Sequence, residues 1–356
     1  MLQASQETVE AFAEDVGLLW CPSRTIAVLS EPPTSLQFLR DHVAPSRPCI
    51  IQRAIPTRGT VSLDSVALTH ADLRVTVDAT PDGHGDSIRR VAHGKVFVQP
   101  AQRTMTMVDF RNRMRLTQQQ AIVEPQMIHE KIFSICSMNE GDHDTRDFGD
   151  DDAAAVLYYS RQNDCLRTEL ESVWHDCGFP ETIPWAAEAF GTETPEAVNL
   201  WIGNQHAVSA MHKDHYENLF YVCSGEKVFT LCPPADAPFL YEREHESGRF
   251  VQAQDSSWYV CVEAGHRVPW VAADVTRKDD PTHAAEFPLL RFTHPIEVRV
   301  QAGEMLYLPA LWFHRVTQTC ETVAINYWYG MRFDSPSWCY FHLLQQLRPA
   351  SDGNDS

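Results

Sequence analysis

No stretch of the chain approaches the ~18 consecutive apolar residues that a membrane-spanning helix needs, so no membrane contact through such a span is expected. Basic residues are scarce. Lys and Arg total 29 against 48 Asp and Glu, a formal net charge of −19, which argues against a nucleic-acid partner because neutralising phosphates requires a basic face. An acidic surface steers cationic ligands instead. The ten cysteines contain no CxxC pair, so the common zinc spacings are missing. The opening MLQASQETVEAFAEDVG has neither a basic start nor an apolar stretch, so no secretory signal is expected. The expected location is the cytoplasm, with the nucleus as a second compartment. In such a reducing setting the cysteines read as small buried apolar residues.

What is present is an ordinary globular composition: 356 residues, 44% of them hydrophobic, enough for one or two cores. Residues 1–48 read as a helical segment, with TVEAFAEDVGLL and SLQFLRDHV at helical spacing either side of Pro32-Pro33. Residues 49–185 read as an α/β elaboration, with strand candidates CIIQRA, LRVTVDAT, GKVFVQP and AVLYYSRQ and an amphipathic helix in MVDFRNRMRL. The acidic run GDHDTRDFGDDDAAA (141–155) reads as a solvated loop. Residues 186–333 read as a β domain: after a short helix in PWAAEAF, the texture changes from residue 198, where VNLWIG, AVSAMHKD, LFYVCS, KVFTLCP, EVRVQAG, MLYLP, HRVTQT and VAINYWYG follow one another with turn residues between them. Many short strands at near-regular spacing indicate a sandwich or barrel. A polar, Pro- and Gly-containing connection (235–294) interrupts the series, and long loops of that kind are usually functional or disordered. Residues 334–356 read as one amphipathic helix, capped at Asp334 or Ser335, and a tail.

Three His-x-Asp pairs occur, at 70/72, 84/86 and 212/214, where about one is expected by chance. On a strand, residues i and i+2 share a face, so the motif there offers an imidazole and a carboxylate to one ion. His84/Asp86 sits in a Gly-rich turn, and His70/Asp72 at an expected helix start, where the Asp would serve the helix terminus. His212/Asp214 lies in an expected strand, with His215 turned to the opposite face. His314, late in the β region, supplies a third donor. Two histidines and a carboxylate form the facial triad of non-haem Fe(II) oxygenases; the same donors also bind Zn(II) for hydrolysis.

SAMHKDHYENLFYVCSGEKVFTLCPP, GEMLYLPALWFHRV and AINYWYG resemble the Jumonji-C (JmjC) 2-oxoglutarate oxygenases of the cupin superfamily. APSRPCIIQRA, VTVDATPDG and GKVFVQPAQR resemble a lysyl 3-hydroxylase within it, and the likeness runs from about residue 30 to 347. The resemblance implies a mainly β fold, a double-stranded β-helix (cupin or jelly-roll) core with an N-terminal α/β elaboration and a C-terminal helix. It implies Fe(II) held by His212, Asp214 and His314, with 2-oxoglutarate as cosubstrate and O2 as oxidant; Mn, Ni, Co or Zn would be surrogate metals. Lys227 is implied to pair with the distal carboxylate of 2-oxoglutarate. Ser209, Asn218, Tyr158, Phe220 and Asn326 are implied around the cosubstrate, with Tyr159 a competitor for the role of Tyr158. The implied reaction adds oxygen at C3 of a lysine in a partner protein, with developmentally regulated GTP-binding proteins as the partner class.

The alternatives are methyl-lysine demethylation, cation-dependent peptidase action on histone tails, and a non-catalytic cupin binding module. Trp338, Phe341, Leu344 and Leu347 form a stripe on the last helix that offers a homodimer contact. Trp258 and Trp270 are candidate aromatic contacts in the 235–294 connection.

Overall fold

The computed structural model describes residues 2–56, 61–91, 94–120, 155–253 and 257–349. The acidic run at 141–154 and the tail from 350 lie outside the described residues. Eight strands form the centre: β1 (Ala197–Gly203), β2 (Val208–Lys213), β3 (Tyr216–Ser224), β4 (Glu226–Cys232), β5 (Ile296–Gln301), β6 (Glu304–Leu308), β7 (Phe313–Gln318) and β8 (Thr322–Gly330). They pair in the orders β1–β8–β3–β6 and β5–β4–β7–β2, the double-stranded β-helix of a cupin or jelly roll. The first sheet is extended past β6 by Cys49–Gln52 and Ala27–Leu29; the second is extended past β2 by His84–Gly85.

The burial of each strand follows from what covers it. β5 alternates buried and exposed along its six residues, as an edge strand with one wet face should. β8 is buried throughout except at Gly330. Its odd-numbered residues Val323, Ile325, Tyr327 and Tyr329 enter a core shared with the N-terminal elaboration, and Ala324 faces the sandwich interior. The outer face of the first sheet is therefore covered by N-terminal elements. Phe38, fully buried in the turn-rich helix that starts at Ser35, sets its ring 4.7 Å from Tyr307 and 4.9 Å from Trp185, both edge-on.

The 235–294 connection departs from the loop expected of it. It contains a hairpin, Glu242–Gln252 with Trp258–Val271. The hairpin joins Gly94–Gln99 in parallel and, beyond that, Ser87–Val91, making a four-stranded sheet. Polar composition concealed these strands because their buried positions include His245, Ser247 and Gln252. His70 also departs from expectation. It ends the helix Leu63–Thr69, which Ser62 caps, and its Nε2 lies 3.1 Å from Asp176. The last helix is Pro336–Gln346, with the Ser335 hydroxyl accepting from the Trp338 amide at 3.3 Å. Phe341 and Leu344 are buried against Val16, Met211 and Phe313. Leu347 leaves the helix and opens a short strand, Leu347–Pro349, parallel to Leu2–Ala4.

Phe38→Ala is expected to lower unfolding free energy by about 3–5 kcal/mol, the usual result of emptying a fully buried aromatic site. Urea denaturation measures it, and a loss below about 1 kcal/mol would mean that the N-terminal segment does not support the sheet.

Candidate metal centre and the cavity around it

His212 on β2 and His314 on β7 are direct cross-strand partners, so register alone brings their rings to 4.2 Å between centroids. A register shift between Ser209 and His212 breaks the β2 ladder just before this pair. Asp214 lies one residue beyond β2, and its Oδ2 stands 3.6 Å from Nε2 of His314. One donor atom from each of the three residues falls within 4.8 Å of the others.

Each imidazole is held by a backbone carbonyl. His212 Nδ1 lies 2.7 Å from Ala210 O, and His314 Nδ1 lies 3.0 Å from Trp312 O. A proton on Nδ1 satisfies both carbonyls and leaves each Nε2 lone pair free, that of His314 beside Asp214, the arrangement of ligating histidines. Burial, and His212 beside it, hold His314 down to about 4, so the ring stays neutral and able to donate at neutral pH. Trp270, from the second strand of the hairpin, stacks on His212 at 3° and 5.7 Å. Trp258 instead packs against Phe250 in the core. His215 is turned away as expected and lies against Phe333 and Trp338.

A cavity of about 550 Å3 opens beside the three donors, with Tyr158, Trp201, Ser209, Asn218, Phe220 and Asn326 in its wall. Strand parity supplies this lining. His314 and Val316 on β7, Asn218 and Phe220 on β3, and Asn326 and Trp328 on β8 each sit two residues apart and share a face. Lys227 is fully buried on β4, opposite Gln318 of β7. Its Nζ donates to Tyr158 Oη at 3.1 Å and to Gln318 Oε1. Both partners are neutral, and burial pulls Lys227 down to about 7. Ser209 lines the same wall as Tyr158, whose phenol burial pushes up and so keeps protonated. Tyr159 faces the other way, its hydroxyl donating to Glu169 at 3.1 Å; the structure thus separates the two tyrosines. Asn326 accepts from Trp201 Nε1 at 2.9 Å and donates to Asn218 at 3.2 Å. Phe220 meets Phe229 edge-on at 5.1 Å.

Three residues that sequence reasoning missed or set aside belong here. Gln318 fixes Lys227 and donates to Asn204 O and Ala207 O. Asp78 accepts from the Ser160 hydroxyl, and burial, with Asp86 nearby, raises it to about 6. Asp86 also lines the cavity, although its His-x-Asp pair lies in a turn.

The donor set suits a divalent transition metal, and the buried ammonium with only neutral partners suits a carboxylate. Loss of an outer partner of a ligand typically costs 10–100-fold in metal affinity. His314→Ala is therefore expected to weaken Mn(II) binding by more than about 100-fold in an electron paramagnetic resonance titration, and a loss under tenfold would remove His314 from the centre.

Residues 35–335 match the Cupin-like domain family. The human protein named bifunctional peptidase and (3S)-lysyl hydroxylase JMJD7 is 35% identical over 335 residues, covering 93% of this chain and 92% of its own. The Arabidopsis thaliana protein named lysine-specific demethylase JMJ32 is 34% identical, covering 94% and 92%. JmjC domain-containing protein E of Dictyostelium discoideum is 30% identical, covering 89% and 87%. With the matching donor set on a double-stranded β-helix, the chain belongs to the cupin-like JmjC family of 2-oxoglutarate- and Fe(II)-dependent oxygenases.

Proposed function

We propose that the chain is a protein lysyl hydroxylase that adds oxygen at C3 of a lysine in a partner protein, a developmentally regulated GTP-binding protein. The observation that carries this reading is a cavity lined by the His212, Asp214 and His314 donors and by Tyr158, whose hydroxyl accepts from the fully buried Lys227 behind the wall, in a chain similar along nearly all its length to a protein named bifunctional peptidase and (3S)-lysyl hydroxylase. The enzyme would work in the cytoplasm and nucleus, as a homodimer through Pro336–Gln346; of the stripe expected to make that contact, Phe341 and Leu344 are instead buried within the chain, so the exposed Tyr340 and Leu343 would face the second copy.

Each residue has a task in that reaction. His212, Asp214 and His314 would hold Fe(II) on one side, leaving the other positions open; Mn, Ni, Co or Zn would fill the same donors as surrogates. Lys227 would take the distal carboxylate of 2-oxoglutarate, with the Tyr158 hydroxyl as second donor and Ser209 beside it. Asn218 and Asn326 form a hydrogen-bonded wall, and Phe220 packs along it. Bound Fe(II), 2-oxoglutarate and O2 supply the oxidising equivalents for C–H hydroxylation, with succinate and CO2 as by-products. Trp270 over His212 limits water at the centre.

The test is mass spectrometry of lysine peptides from GTP-binding proteins and of methylated histone tails. Each is incubated with the enzyme, Fe(II), ascorbate and 2-oxoglutarate, with His212→Ala as control. Gain of one oxygen on lysine, absent with the variant, is expected. Loss of a methyl group would replace the reading with demethylation, the activity named for the Arabidopsis relative. Fragments formed without 2-oxoglutarate would replace it with a peptidase. No change on any peptide withdraws it.

Lys227 gives a pH signature. Burial disfavours its charged form in the free protein, setting the titration near 7, whereas a dicarboxylate requires the charged form. Below pH 7 the ammonium is already present and affinity is flat. Above it, binding must take up a proton, and 2-oxoglutarate affinity falls by up to about tenfold per pH unit. Calorimetry of the Mn(II)-loaded protein in buffers of different ionisation heat is expected to show proton uptake near zero at about pH 6 and near one at about pH 8.5. Equal uptake at both would show that Lys227 does not meet the ligand.

A further inference from the structure

Among the charged groups of the cavity, Asp86 is unaccounted for. Asp214 stands with the two histidines, and Lys213 pairs with Glu242. Arg161, in the same wall, reaches Glu169; outside the wall, Lys227 donates to Tyr158 and Gln318, and Arg89 reaches Asp82 at 2.7 Å. Asp86 has no hydrogen-bond or ion-pair partner among the described residues, yet its carboxylate lies in the cavity wall and close enough to His212 to feel its charge. Asp78, in the same wall, carries one neutral donor, Ser160. Two carboxylates withdrawn from bulk water in one cavity cost free energy until a cation or several donors meet them.

The backbone fixes this carboxylate with unusual care. Gly83, at φ +88°, lets the turn lie so close to His206 O that a Cβ there would come within 1.8 Å of it. The Val208 amide donates to Gly83 O at 2.8 Å, and the following residues run parallel to β2 with Val208 opposite His84 and Ser209 opposite Gly85. Asp86 itself has φ 44°, a left-handed conformation that Asp and Asn tolerate better than other side chains. The parallel pairing ends with Ser209 opposite Gly85, and Asp86 follows directly, in the same cavity wall as Ser209, Ala210 and His212. In an extended lysine, C3 and the ammonium nitrogen are four bonds apart, about 5 Å, so an ammonium met by Asp86 leaves C3 inside the cavity that the three donors line.

We infer that Asp86, backed by Asp78, takes the ε-ammonium of the substrate lysine and thereby sets which carbon of the side chain stands at the metal centre. The inference rests on the lysyl hydroxylase reading and assigns its specificity to this pair. A neutral side chain of the same length would cover the half-buried Asp86 without meeting its charge, so selection works largely by exclusion. The overall acidity of the chain then brings cationic segments near, and Asp86 recognises the one ammonium at the required depth.

The experiment uses the Mn(II)-loaded protein with 2-oxoglutarate under argon, and fluorescein-labelled peptides from the GTP-binding-protein panel. Each peptide carries lysine, norleucine or Nε-acetyl-lysine at the target position, and binding is read by fluorescence anisotropy. The wild type is expected to bind lysine at least tenfold more tightly than either neutral side chain. Asp86→Asn, which keeps the shape and tolerates the same φ, is expected to erase that ratio, and Asp78→Asn to reduce it. A wild type without the preference, or an Asp86→Asn protein that keeps it, overturns the inference. So does an Asp86→Asn protein that no longer binds Mn(II), because Asp86 would then belong to the metal centre. Mass spectrometry on the same peptides judges the reaction separately: selective binding of lysine without oxidation would end the hydroxylase reading and leave the ammonium site standing.

Discussion

A lysine with no exposed surface and, among the described residues, no carboxylate partner is the constraint on which the wall of this cavity depends. Withdrawing an ammonium from water costs several kcal/mol even after local relaxation, and Lys227 recovers part of it through two neutral acceptors. Each acceptor needs support of its own. Gln318 is anchored through its amide to two carbonyls of the segment between β1 and β2. Tyr158 requires Gly203, where a Cβ would come within 2.6 Å of its ring. Tyr158 belongs to the N-terminal elaboration, through the pairing of Val156–Tyr158 with Arg74–Thr80. The elaboration is thus part of the machinery that keeps a positive charge inside the barrel, and an anionic ligand is what would offset the remaining cost.

The metal strand shows how one periodicity serves two faces. His212 and Asp214 turn toward the cavity, while Lys213 between them points out to Glu242. The same glutamate accepts from Gln345 of the last helix at 2.8 Å, and the Lys213 ammonium lies 5.3 Å and 5.6 Å from the rings of Phe313 and Phe341. Phe313 is the neighbour of His314, and its outward ring packs at 6.1 Å from Phe341. Both histidine-bearing strands are therefore clamped from outside by the same helix and by the first strand of the hairpin. Position at the centre is set by contacts that never touch a metal, as expected of a site needing sub-ångström tolerance.

How much of this the sequence disclosed depends on the kind of signal. His212, Asp214 and His314 were legible because metal chemistry restricts the residue types and strand parity restricts the spacing. Lys227 was legible only through family resemblance, since a lone lysine in a β-hairpin ordinarily lies in solvent. Gln318 carried no signal: a glutamine in HRVTQT has the look of the wet face of a strand, and only the register opposite Lys227 turns it inward. Asp86 was set aside because a Gly-rich turn ought to hold a side chain loosely, and the close approach of Gly83 to His206 is a tertiary fact. The hairpin of 242–271 was hidden for a related reason. Its buried face is partly polar, and pattern reading assumes that buried means apolar.

The hairpin also decides what kind of centre this is. The ring of His212 is fixed at one edge by Ala210 O and on one face by Trp270, and Trp270 in turn lies 4.6 Å from Phe97 of the neighbouring sheet. An imidazole constrained in both rotation and tilt presents its lone pair in a fixed direction. An aromatic face beside it removes ordered water without competing for the metal, which a polar side chain in that place would do. The β-helix alone would leave the open side of the three donors to solvent. By laying a second, smaller sheet beside them, the chain adds Phe97, Val268 and Trp270 to the wall of the cavity that the three donors share with Asp86.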